Sequence, residues 1–218
     1  MARIRAVMFD LDGTLIDTMG GFADLAAEVM QKRLGIDVTT ARRRYLETSG
    51  IPFRQQLEVI AAGHAENQAS SDEFEHRKRA VCDATSMDAE TIAGLEALRA
   101  LGLKLIVSSN AAQHFVDDFA RRESFAFDLA LGFEAARGMA KGKPHVAHTC
   151  KTLGLEIAEL LFCGDSLKDG ELADDCGIPF IGRTGTFHRE DFLRRDPAGA
   201  AVDSIPELAQ LLLAKAAA

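Results

Sequence analysis

Short apolar runs alternate along the chain with stretches whose apolar residues recur at helical spacing. The runs cover residues 4–9, 103–107, 127–132, 160–163 and 178–181. Most lack polar alternation, which is the pattern of strands covered on both faces. The helical pattern falls between them, over residues 112–122, 144–153 and 168–176, and closes the chain at 206–215. Strands separated by helices predict an α/β protein with a parallel sheet.

The interval 17–85 breaks this rhythm and contains no convincing strand. Phe22, Leu25, Ala26, Val29, Met30 and Leu34 follow helical spacing, and Gly35 marks a stop. Thr39 or Thr40 is placed to cap a second helix, Gly50-Ile51-Pro52 interrupts again, and Ser71 or Asp72 is placed to open a later one. A helix over 88–101, ending at Gly102, returns the chain to the sheet. The expected organisation is an α/β core from residues 1–16 and 86–218, with residues 17–85 inserted as a helical domain. The small-residue tail 216–218 is expected to fray.

A chain of 218 residues accommodates such a core with an insertion. Its net charge of −8 argues against a polyanion as main partner, which would need clustered basic residues. The short basic runs Arg42-Arg43-Arg44 and Arg194-Arg195 read as solvated helix faces. Cys82, Cys150, Cys163 and Cys176 are scattered without C-x-x-C spacing, as expected of reduced thiols, and Cys163 falls inside an apolar run. Asp10 interrupts the first apolar stretch too early for a signal peptide, and no run approaches membrane-spanning length. These features predict a soluble cytoplasmic protein with no nucleic-acid or membrane partner.

The candidate chemistry sits where the apolar runs end. The first run leads into Asp10-Leu11-Asp12-Gly13-Thr14. Residues two apart in an extended chain point the same way, so Asp10 and Asp12 can address one centre. Two carboxylates that close suggest a bound cation or a shared proton. The second run ends in Ser108-Ser109-Asn110, and either serine could donate to an anion or cap a helix. Two lysines, Lys141 and Lys143, precede the helix that begins with Pro144. The fourth run leads into Gly164-Asp165-Ser166-Leu167-Lys168-Asp169. In open α/β sheets ligands bind outside the carboxyl ends of the strands, where all of these residues fall.

The four segments, in this order, resemble the four motifs of the haloacid dehalogenase superfamily, and the resemblance extends over essentially the whole chain. It implies a Rossmannoid core with an inserted helical cap, nearest to phosphoglycolate-phosphatase-like members. It implies that Asp10 is a nucleophile forming an aspartyl-phosphate and that Asp12 is the general acid and then the general base. Ser109, by its register from Gly102, and Lys143, by its Lys-Pro pair, occupy the second and third motifs, with Ser108 and Lys141 as the competitors. Thr14 and Asn110 are candidate substrate contacts, and Arg54, in the broken stretch 48–54 of the insertion, is placed either to meet an anionic substrate group or to stand as a solvated arginine at a helix start.

Mg²⁺ is the implied cofactor, held by Asp10, Asp165 and the backbone carbonyl of Asp12, with Asp169 supporting metal-bound water. The implied partner is a small phosphorylated metabolite, and the implied assembly a monomer or homodimer. A sugar-phosphate mutase on the same scaffold is disfavoured because residues 17–21 contain no histidine. A non-catalytic binding protein finds no support, since every expected catalytic position is occupied. His145 and His148, three apart on a predicted helix, are expected at the surface. His64, His76, His114 and His188 have no motif around them.

Overall fold

The structure is a computed structural model and describes residues 3–217. The α/β part is built on six parallel strands: β1 (Ala6–Phe9), β2 (Lys104–Ala112), β3 (Leu129–Phe133), β4 (Leu160–Gly164), β5 (Phe180–Arg183) and β6 (Ala200–Val202). Their order across the sheet is β3-β2-β1-β4-β5-β6. The chain therefore starts in the middle, builds outward to β3, then returns to β1's other side. The strand order reverses between β1 and β4, the point where a doubly wound sheet opens a crevice for ligands.

Strand parity sorts the core into two layers. Val7, Phe9, Leu105, Val107, Leu161, Cys163, Ile181 and Val202 pack on one face with Leu95 and Leu98 of α5 (Ala89–Ala100), Phe119 of α6 (Gln113–Arg122) and Leu208 of α10 (Ile205–Ala217). Ala6, Met8, Ile106, Leu131, Leu160 and Phe162 pack on the other, against Val146 of α7 (Lys143–Leu153) and Ala173 of α8 (Leu167–Cys176). Both faces of the central strands are thus covered, which explains their unbroken apolar runs.

The chain divides into two compact units, residues 1–16 with 87–218, and residues 17–86. The second is all helical: α1 (Met19–Leu34), α2 (Val38–Glu47), α3 (Phe53–Ile60) and α4 (Asn67–Ala84). Its core joins Phe22, Ala26 and Met30 to Tyr45, Phe53, Leu57 and Phe74. The Phe53 and Phe74 rings lie 4.3 Å apart, with Tyr45 tilted against both.

Several sequence expectations are corrected. The cap of α2 is Asp37, whose carboxylate accepts from the Thr40 amide, so Thr40 lies inside the helix it was expected to cap. α4 opens at Asn67, and Ser71 lies within it, facing inward. β6 and α9 (Arg189–Arg195) escape the apolar pattern, because β6 is three small residues long and α9 is mostly charged. Arg195 is not solvated: it pairs with Asp174 and lies 5.5 Å from the Phe180 ring centre. Of the expected frayed tail, Ala216 and Ala217 belong to α10 and Ala218 lies outside the described residues. Cys163 is buried, and no helix among the described residues is long and apolar enough to cross a membrane.

Candidate active site

β1 and β4 deliver two carboxylates to the reversal point. The amide of Asp10 donates to the Cys163 carbonyl at 2.9 Å, which carries the β1–β4 pairing one residue beyond the strand. The following loop folds back on itself, with the amides of Leu15 and Ile16 donating to the Leu11 carbonyl. Gly13, at φ 85°, takes the left-handed turn that a side chain would resist. Thr14 is buried, and its hydroxyl has no hydrogen-bond partner among the described residues. A buried orphan hydroxyl in this turn suits an oxygen-rich ligand.

The carboxylates of Asp10, Asp165 and Asp169 offer oxygens that lie within 4.8 Å of one another, and all three residues are buried. Asp169 is fixed by the first turn of α8: Ser166 and Asp169 form a reciprocal cap in which Asp169 Oδ2 accepts from the Ser166 amide and hydroxyl. Thr186, in the loop after β5, donates its hydroxyl to Asp165 Oδ2.

Lys141 is the cation of the cluster. Its Nζ lies 2.6 Å from Asp10 Oδ1 and also pairs with Asp169 Oδ1, and its side chain is only 5% exposed. Lys143, the residue expected in this place, is exposed at the first position of α7. The physical reason is local. The helix and its proline carry Lys143 onto the solvent side, whereas Gly142, at φ 104°, bends the preceding chain so that Lys141 turns inward.

The electrostatics are those of too many carboxylates for one ammonium. Burial pushes Asp10 up to about 7, against the pull of Lys141, with Asp169 adding to the rise. Burial also raises Asp165 well above the carboxylate range, helped by the charges of Asp10 and Asp169. Burial opposes the charge on Lys141, but Asp10 and Asp169 outweigh it and hold the lysine above its ordinary value. A hard divalent cation would relieve this crowding, and three carboxylates of this kind fit Mg²⁺. Asp12 lies outside the three-carboxylate set, although its charge contributes to the rise of Asp10.

Of the other expected residues, Ser109 is buried and accepts from the Ala111 amide at 3.0 Å, while Asn110 is exposed two residues before the end of β2. Arg54 belongs to the helical unit, where it pairs with Glu58 and donates to Gln68. Ser108 is buried and bonds His145. His145 is wholly buried, which overturns its expected place at the surface. Thr186 and His145 carry no sequence signal that singles them out. Along the sequence only their positions, after β5 and in the first turn of α7, mark them.

Gly164 supplies a steric test. A Cβ placed there would lie 2.5 Å from Asp169 Oδ2 and 2.7 Å from its carboxyl carbon. Gly164→Ala is expected to leave the sheet folded while displacing Asp169 from Lys141. Turnover should then fall by about 10–100-fold, as misplacement on the order of 1 Å does in active sites. Kinetics alongside a thermal melt check this. Unchanged turnover would show that the Asp169 position is not critical.

Comparison with known proteins places these features in a family. The family model for haloacid dehalogenase-like hydrolases matches residues 4–177. The chain belongs to that family, and it is a hydrolase. A phosphoglycolate phosphatase of Neisseria meningitidis is 26% identical, the match covering 94% of this chain and 92% of that one. An N-acetylmuramic acid 6-phosphate phosphatase of Pseudomonas aeruginosa is 28% identical over 96% of this chain and 95% of its own. Among solved structures, a haloacid dehalogenase-like family protein of Streptococcus pneumoniae shares the fold, with a TM-score of 0.80 at 21% identity, covering 97% of this chain and all of that one.

Proposed function

We propose that this family phosphatase hydrolyses a small, soluble phosphomonoester in the cytoplasm through an aspartyl-phosphate on Asp10, with Mg²⁺ as cofactor. The observation that carries the reading is the buried Asp10 carboxylate at the sheet's reversal point, paired with Lys141 and within 4.8 Å of the Asp165 and Asp169 oxygens. An oxygen of Asp10 attacks phosphorus while the bond from phosphorus to the ester oxygen breaks. Asp12, two residues on, gives its proton to the departing oxygen. It takes a proton back from the water that then releases phosphate. In this reading Lys141, the Ser109 hydroxyl and the Thr14 hydroxyl meet the phosphoryl oxygens. Lys141 thus takes the role that the sequence motif suggested for Lys143.

Asp10, Asp165 and the backbone carbonyl of Asp12 would hold Mg²⁺, with Asp169 supporting its water. The ion supplies charge neutralisation for the phosphoryl oxygens. Substrate choice is assigned to the helical unit and to Asn110, with Arg54 as a candidate anion contact that must exchange its partner Glu58 for substrate. The named activities of the relatives make phosphoglycolate and N-acetylmuramic acid 6-phosphate the first substrates to try.

The test is hydrolysis of a chromogenic phosphomonoester, followed by those two compounds, in Mg²⁺ and in chelator. Turnover that disappears in chelator and returns with Mg²⁺ is expected. Metal-independent turnover would remove the cation from the reading. Turnover that requires an added sugar bisphosphate would point to a mutase.

A further inference from the structure

The pairing of β2 with β3 breaks beside the candidate site. The two strands run in register as far as Ser108 opposite Leu131, then resume at Ala112 opposite Phe133. Ser109, Asn110 and Ala111 lie in the gap. Gly132 faces that gap, and side chains take both of its backbone groups. Its amide donates to Gln113 Oε1 at 2.7 Å, and its carbonyl lies 3.0 Å from His145 Nε2. A Cβ at Gly132 would lie 2.7 Å from the Gln113 Cα and 2.8 Å from the Ala111 carbonyl oxygen, so the backbone at the end of β2 approaches closely.

His145 joins the three elements. A carbonyl only accepts, so Nε2 carries the imidazole proton. Nδ1 is then bare and accepts from the Ser108 hydroxyl at 2.8 Å. One neutral ring in the first turn of α7 therefore bonds β2 at Ser108 and β3 at Gly132. Ser108 directly precedes Ser109, and the loop that leads into α7 carries Lys141.

We infer that His145 is a positioning residue that holds the broken strand pair open and sets Ser109 and Lys141 in mutual register at the site. The inference rests on the phosphatase reading for what Ser109 and Lys141 do, but the tie itself does not depend on that reading. Burial keeps the imidazole neutral by pushing its pKa down to about 4, and the charge of Lys141 acts in the same direction. A charged ring would have a second proton on Nδ1 and could no longer accept from Ser108.

The experiment compares His145→Phe, Ser108→Ala and the double variant, with wild-type turnover of the chromogenic ester established first. His145→Phe should lower kcat by about 10–100-fold, with KM changing by less than about threefold. Ser108→Ala should lower it less, and the double variant should be no slower than His145→Phe alone, because both changes cut one connection. His145→Gln, whose amide can still donate to the Gly132 carbonyl, should recover part of the loss.

Nitrogen NMR of the wild-type protein should show one neutral tautomer, protonated at Nε2, at pH 6. The amide signals of Ser109 and Ala111 should shift in both single variants. A lowered melting temperature with wild-type kcat, additive losses in the double variant, or the other tautomer would overturn the inference. Should His145→Phe fail to fold, Ser108→Ala and the tautomer decide it. Should the wild type hydrolyse no phosphomonoester, the phosphatase reading fails, and the NMR result alone decides the tie.

Discussion

Asp10→Asn abolishes turnover, with an expected loss of at least about 10⁴-fold, the scale on which removing a nucleophile acts. The amide keeps the shape of the carboxylate and a hydrogen-bond acceptor, so the loss reports chemistry rather than packing. Stability moves the other way. Asp10 has a higher pKa folded, about 7, than its ordinary 3.8. Between those values the native state binds more protons than the unfolded chain, so this group's contribution is present below pH 4 and is lost as pH rises through 7. In chelator the wild-type protein is therefore expected to lose stability across that window, and Asp10→Asn to lose less. Melting curves at pH 5 and pH 8, beside the activity assay, check both halves. An Asn variant that is inactive and also much less stable at pH 8 would assign Asp10 a structural role.

Lys141→Ala and Lys143→Ala should differ sharply. The first removes the buried ammonium between Asp10 and Asp169 and leaves the carboxylates crowded without it. A loss of about 10²–10³ in kcat is expected, the scale for deleting one preorganised charge or donor. The second removes a solvent-exposed side chain and should change kcat by less than about twofold. Lys141→Arg should not restore activity, since a planar fork cannot take the place of a compact ammonium in a closed site. The outcome that reverses this assignment is a large loss in Lys143→Ala with Lys141→Ala near wild type.

Much of the core was legible because its determinants are local. The apolar runs 4–9 and 160–163 lie on β1 and β4, and Asp10 and Asp165 follow those strands directly. Spacing alone therefore brings these two carboxylates to the same end of the sheet. The lysine was not legible, because Lys141 and Lys143 differ only in how one glycine bends the chain. The Lys-Pro pair marks a helix start and says nothing of which side chain turns inward. His145 was hidden for a different reason. Its sequence neighbours are Pro144 and Val146, both its partners come from β2 and β3, and no pattern along α7 reports a tertiary hydrogen bond. β6 was missed because Ala200 and Ala201 are as common in loops as in strands. The cap of α2 was missed by a few residues, because Asp37, Thr39 and Thr40 are all competent capping types and only backbone geometry chooses among them.

The central place of β1 has a consequence for how the molecule comes into being. Ala6 finds its partners at Lys104 on one side and Leu160 on the other. β1 thus leaves the ribosome before either of its partner strands, and the whole helical unit is synthesised before the first of them arrives. Contacts this distant in sequence are slow to close. Until β4 arrives, Ala6–Phe9 offers an apolar edge that another chain could pair with. A chain interrupted before β4 would keep that edge open, so incomplete copies should be sticky rather than merely inactive.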